Sequence, residues 1–439
     1  MKKVLINIST LLTFVASAQE AIYPTPKHTG TTVITNATVH VGNGQVHENA
    51  SIVITNGKIA SVGTNVTIPA GATSINAQGK HVYPGLILPV SNLGLVEVSS
   101  VRATSDFQEI GEMNPNVRSI VAYNTDSKVI NTLRSNGILL ANVVPQGSLV
   151  AGQSSVVQLD AWNWEDAAYK MDAGLHFYMP SLLPRPRGFG SAPGGPNASQ
   201  PPVDPVKQGL EQVDKIKMFF REAKAYSSLN THDETNLRYG AVKGLYDKSK
   251  KLYVHANTVK QMLVALDFVR EFGFDVVIVG GSDSWQIADL LKQTNVSVIL
   301  NQPHSLPTMA DDDVDQPFKT PAMLQKAGVL FSIADDDGQT RGRNLAFNAG
   351  TAATYGLTKE QALQAITLNA AKILGVADRT GSIEPGKDAN IVISIGDILD
   401  MKNSIVTDAF IQGRKIDLND KHKQLNERYK HKYQLKVPF

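Results

Sequence analysis

Between residues 85 and 375 this chain alternates short, apolar, β-branched runs with runs whose apolar residues recur at helical spacing. Gly137-Ile-Leu-Leu-Ala-Asn-Val-Val144 reads as a buried strand, 259–272 as an amphipathic helix, and Phe274-Asp-Val-Val-Ile-Val279 as the next strand. The pair then recurs: a helix over 285–292 before a strand over 296–300, and a helix over 320–326 before a strand over 329–334. Strands joined through helices lie parallel, because the crossover carries the chain back to the end from which the last strand began. The expected fold is α/β, a (β/α)8 barrel, with an open doubly wound sheet as the runner-up. No GxGxxG opens a helix after a strand, so nothing marks a dinucleotide site.

Both ends of the chain read differently. Residues 32–40 alternate β-branched and small side chains, and 51–63 form two strands around Asn56-Gly57, a strong hairpin signal. Further strands are expected within 381–393 and 408–414, and a charged surface helix over 419–433. The expected organisation is one small β-sandwich built from 19–84 and 381–439, with the barrel, 85–380, inserted between them. Residues 180–205 hold eight prolines and several glycines, a composition that sustains neither a helix nor a central strand. A lid and a plain surface loop are both compatible with that stretch.

The first residues resemble a secretory leader: Lys2 and Lys3, an apolar run, then Ala16-Ser-Ala18 as a cleavage site, giving an expected signal peptide over 1–18. An exported protein, periplasmic or extracellular, is therefore expected. No other segment reaches the ~20 apolar residues of a membrane span. The chain has no cysteine, which removes disulfides and thiolate metal sites. Lys and Arg number 42 against 40 acidic residues, so no global field gathers nucleic acid.

Four segments then carry a resemblance. They are Gly57-Lys-Ile-Ala-Ser-Val-Gly63, Pro84-Gly-Leu-Ile87, Thr367-Leu-Asn-Ala-Ala-Lys-Ile-Leu-Gly375 and Gly381-Ser-Ile-Glu-Pro-Gly-Lys-Asp-Ala-Asn390. In this order and spacing the chain resembles the amidohydrolase superfamily, in its imidazolonepropionase-like and dihydroorotase-like branches. That resemblance implies a site at the C-terminal mouth of the barrel, where one or two divalent metals generate hydroxide. Carried over position by position, the strand-one histidines fall on Val90 and Asn92, and the strand-six histidine on Gly280. The strand-five histidine matches His255, the strand-four ligand falls near His176, and the catalytic strand-eight aspartate lands on Asp335 or Asp336. Val90 and Gly280 cannot ligate a metal, and a neutral Asn is a weak ligand for zinc or iron.

His304 follows the strand over 296–300 and is expected at the same mouth, so His255, His304, Asp335 or Asp336, and His176 form a candidate single-metal set. Zinc, iron or manganese would suit those donors; a metal-free hydrogen-bonded network is the competing arrangement. Arg341 and Arg343, after the acidic run, are candidates for holding a substrate carboxylate. The acidic run 311–315 lacks the Gly and closing Glu of an EF-hand, so a solvated loop is the plainer reading. Trp162 and Trp164 are read first as packing residues, second as a stacking surface. The resemblance implies hydrolysis of a carbon–nitrogen bond in a small cyclic amide or dipeptide-like substrate. Its rival is an inactive barrel that binds a ligand, or that partners itself or a homologous amidohydrolase.

Overall fold

The computed structural model describes residues 23–147, 149–183, 204–229, 231, 234–335 and 339–435. The expected leader and most of the proline-rich stretch lie outside these residues.

Sixteen strands follow in chain order. The first five are β1 (Thr31–His40), β2 (Val46–Thr55), β3 (Lys58–Gly63), β4 (Thr73–Asn76) and β5 (His81–Pro84). Next come β6 (Leu86–Ser91), β7 (Ile138–Val143), β8 (Val150–Gln158), β9 (Ala168–Tyr178), β10 (Lys251–Ala256), β11 (Val276–Gly280), β12 (Ser297–Leu300) and β13 (Phe331–Ile333). The last are β14 (Ile391–Ile395), β15 (Ile405–Ile411) and β16 (Arg414–Lys415).

The two ends of the chain make one sheet, ordered β16-β15-β14-β5-β1-β2-β3, with β4 paired to β1. Its hairpin forms at Asn56-Gly57: both residues have positive φ, 48° and 83°, and Thr55 pairs with Lys58. That is the type I′ turn the dipeptide favours, because its twist matches the flanking strands. The hinge of the design is the pairing of β5 with β14, Pro84 opposite Ile391, so the chain enters and leaves the barrel at one place.

The second sheet runs β13-β12-β11-β10-β9-β8-β7-β6 and curls into a nearly closed (β/α)8-type barrel. Its edges do not pair directly; Ile87 N–H donates to Ile366 O across the gap at 3.0 Å. One strand departs from the all-parallel pattern. β8 runs antiparallel to both β7 and β9, so a meander replaces two crossover helices. The sequence signal for that reversal is absent: β8 is buried along nearly its whole length with Gln153, Ser154 and Ser155 among its residues, and a burial pattern does not depend on strand direction. Periodicity also left unassigned the longest helix, Pro205–Ser228, which Asp204 caps through Val206 N–H.

Helix Leu368–Leu374 packs along β13 and β6 and closes the barrel floor. Its last carbonyls accept from Lys170 Nζ (3.1 Å, Gly375 O) and from Tyr253 Oη (3.2 Å, Ile373 O), on β9 and β10. Below the floor, Asp160 is 4% exposed and takes Arg134 at 2.7 Å and Arg414 at 3.1 Å, together with Thr25 N–H at 3.0 Å. One carboxylate thus ties the N-terminal segment and the C-terminal sheet to the barrel.

Replacing Asp160 with Asn strands two buried guanidiniums, and breaking such a group costs about 3–5 kcal/mol. Asp172→Asn, which loses only the half-exposed Arg118, should cost about 1 kcal/mol or less. Urea unfolding of both variants checks the ordering; equal losses would show that Asp160 is not a structural tie.

Candidate functional site

Along β10, Lys251, Tyr253 and His255 share one face, since alternate residues of a strand point the same way. Tyr253 reaches the floor helix, so this face is the barrel interior, and His255 stands one step nearer the C-terminal mouth. His176 and Tyr178 on β9 are brought alongside by register, opposite Tyr253 and His255.

The two histidines touch: His176 Nδ1 lies 2.9 Å from His255 Nε2, and His176 Nε2 lies 2.8 Å from Ser154 Oγ on β8. Tyr178 stacks on the His255 ring with centroids 3.8 Å apart, and Tyr253 stacks on His176 at 4.8 Å. Tyr178 Oη is fixed in turn by Pro145 O at 3.1 Å. Burial drives both imidazoles towards their neutral forms. It pushes His255 down to about 3, and it lowers His176 well below the ordinary value, with His255 adding to the effect.

A string of two neutral imidazoles and a hydroxyl has two proton arrangements. When Ser154 donates to His176, His255 presents an N–H at Nδ1. When His176 donates to Ser154, the same Nδ1 is a bare lone pair. Ser154 and Tyr178 were not foreseen. For Tyr178 a signal existed, because it stands two residues after His176 on a strand; for Ser154 there was none without the reversed direction of β8.

The other expected residues do not join this pair. His304 is exposed, its Nε2 3.0 Å from Thr351 Oγ1 and its ring edge-on to Phe318, so it is spent on the helices Gln316–Ala327 and Leu345–Thr354. Register carries the His255 face through Val279 and Ile299 to Ser332, which leaves Phe331 and Ile333 on the opposite face, with Asp335 two residues past the strand's end. Asp335 is buried against the outer helix, where Asn348 Nδ2 donates to its Oδ2 at 3.1 Å. Asp336 lies outside the described residues. Arg343 does not face the mouth either: its guanidinium meets His422 Nε2 of the C-terminal helix at 3.3 Å. Arg341 is exposed on the same turn, which packs on helix Lys128–Arg134 at the outer wall.

At the positions where the resemblance looked for family ligands, Val90 is buried and, among the described residues, Asn92 Oδ1 is buried without a hydrogen-bond partner. Gly280 has φ 101°, and a Cβ there would collide with the Asn257 amide, so this backbone admits no ligand side chain. Among the described residues no three His, Asp or Glu side chains come together in a way that could hold a metal ion. A catalytic zinc takes three protein ligands, and both nitrogens of His176 are already engaged. The described donor set does not fit that ion. Of the expected aromatics, Trp164 packs against the core, while Trp162 is 61% exposed and lies 5.7 Å from the Tyr23 ring.

The architecture and comparisons with known proteins define the class. The amidohydrolase family model matches residues 264–416. An amidohydrolase from Thermotoga maritima superposes with a TM-score of 0.74 at 26% identity, covering 88% of this chain and 99% of that one. Imidazolonepropionase of Thermoplasma volcanium is 38% identical over 82 residues, 18% of this chain and 20% of the relative. That of Mesorhizobium japonicum is 35% identical over 74 residues, 16% and 18% respectively. The match therefore spans about a fifth of the length of these curated relatives. A Xaa-Pro dipeptidase structure with bound methionine shares the fold, with a TM-score of 0.53 at 16% identity over 88% of this chain and 99% of that one. Together these comparisons support placing this chain in the amidohydrolase superfamily.

A histidine whose folded pKa is depressed binds its proton more readily once unfolded, so stability falls as pH drops below the unfolded value near 6.5. His176, His255 and the half-buried His81, lowered by burial and by His40, all act with this sign. The urea midpoint should decline from about pH 6.5 downward, and His176→Asn should flatten that decline. A midpoint rising on acidification would contradict the neutral pair.

Proposed function

We propose that this protein is a hydrolase of carbon–nitrogen bonds in a small amide-like substrate, working from the barrel mouth. The observation that carries the reading is the hydrogen-bonded Ser154–His176–His255 string, which ends in His255 Nδ1 with no partner among the described residues. In the proposed reaction His255 Nδ1 takes the proton of the attacking water as the C–O bond forms. It returns that proton to the leaving nitrogen as the C–N bond breaks. Ser154 and His176 hold the tautomer, and Tyr178 holds the ring plane. The family's use of divalent metals such as zinc does not enter these steps, because the described donors do not make a three-ligand site. Cyclic amides and dipeptide-like compounds are the substrate class proposed, and export past the membrane is proposed from the leader-like residues 1–18.

A second reading is favoured by one specific observation. Among the described residues the imidazole pair at the mouth bonds within itself, and neither His304 nor Asp335 joins His255. That is the arrangement of a ligand-binding barrel without turnover. The two readings differ in a hydrolysis screen of N-acyl amino acids, dipeptides and cyclic amides. The hydrolase reading expects His255→Asn to lower kcat/KM by about 10²–10⁴-fold with the fold intact. With His255 lowered to about 3, the wild-type rate should stay flat as pH falls from 8 to about 5. Absence of turnover, with compounds of the same panel raising the Tm, would establish the binding reading instead. Elemental analysis of the dialysed protein completes the test: one tightly held metal per chain, retained in His255→Asn, would place the chemistry elsewhere.

A further inference from the structure

Helix Lys421–Tyr433 has no buried residue. Near its start Asp420 caps Lys423 N–H at 2.9 Å and accepts from Ser135 Oγ, and His422 meets Arg343. Beyond that turn only Leu425 and Lys430 are half-buried, and an isolated helix of this length is marginal in water. Its composition is lopsided, five Lys or Arg against one Glu, whereas the whole chain has a net charge of only +2. At helical spacing Lys421, Arg428 and Lys432 share one stripe, and like charges so placed disfavour the helix unless an anion answers them. Beside the stripe, Tyr429 and Tyr433 are 50% and 60% exposed, stacked at 6.3 Å, with Lys432 Nζ 5.1 Å from the Tyr433 ring centroid.

We propose that this helix docks the protein on a bilayer surface bearing anionic lipid. Cations flanking exposed phenol rings match the headgroup layer, where rings sit at the boundary and Lys and Arg meet phosphate. The placement agrees. Ser135 lies at the end where β7 begins, the barrel floor, so a membrane held there leaves the catalytic mouth facing solution. A single short helix with no groove offers less to a second copy of this chain, whose remaining residues are only slightly acidic overall.

The purified chain is sedimented with phosphatidylcholine vesicles, with and without phosphatidylglycerol, at about 50 and about 500 mM salt. The expected result is binding only to the anionic vesicles, weakened by salt. Binding should fall at least about tenfold in the triple variant Lys421→Glu, Arg428→Glu, Lys432→Glu, and fall measurably in Tyr429→Ser, Tyr433→Ser. Because none of these side chains is buried, both variants should keep the wild-type Tm, which serves as the folding control. Failure to bind anionic vesicles, binding indifferent to phosphatidylglycerol, or binding unchanged in the triple variant would overturn the proposal. So would finding that the charge reversal abolishes only self-association, read by sedimentation equilibrium.

Discussion

The antiparallel pairing of β5 with β14 is the constraint on which the rest of the molecule depends. Pro84 lies opposite Ile391, and Gly85 N–H donates to Asn390 O at 2.8 Å, so more than 300 residues of barrel begin and end within one hydrogen bond of each other. Loop closure over that length is entropically expensive. Its cost is met by two hydrophobic cores, one inside the terminal sheet and one around the barrel, and by the Asp160 carboxylate that clasps Arg134, Arg414 and Thr25 beneath them. The floor helix Leu368–Leu374 lies just before this clasp and seals the barrel on the side away from the mouth.

With one end sealed, chemistry is confined to the other, and there register decides which side chains meet. β9 and β10 set His176 and His255 in contact, while the reversed β8 delivers Ser154 from the third side. The low polarity that makes these imidazoles neutral also makes their mutual hydrogen bonds strong. Past the end of β13, Asp335 is buried and accepts from Asn348, while its neighbour Asp336, the other candidate acid, lies outside the described residues. A one-residue slip exchanges the two faces of a strand, and this is why a motif aligned to within one position could not place that carboxylate.

Much of the fold was legible in the residues. Asn56-Gly57 specified its own turn, the alternation over 259–334 specified parallel strands and crossovers, and the strands at both ends announced a composite sheet. The direction of β8 was not legible, because a buried strand's residue pattern reads the same whichever way it pairs. Nor was the displacement of His304: a histidine after a strand reads as a mouth residue, and only the packed helices around Phe318 and Thr351 show where its ring is spent.

The sequence alone determined the local conformations and the strand–helix alternation of the barrel, because turn chemistry and periodicity act over a few residues; His255 was reached only through the family resemblance. Tertiary structure alone decided which polar groups meet. Partnership between His176, His255 and Ser154 depends on three strands far apart in the chain, brought together in a register that no local pattern encodes.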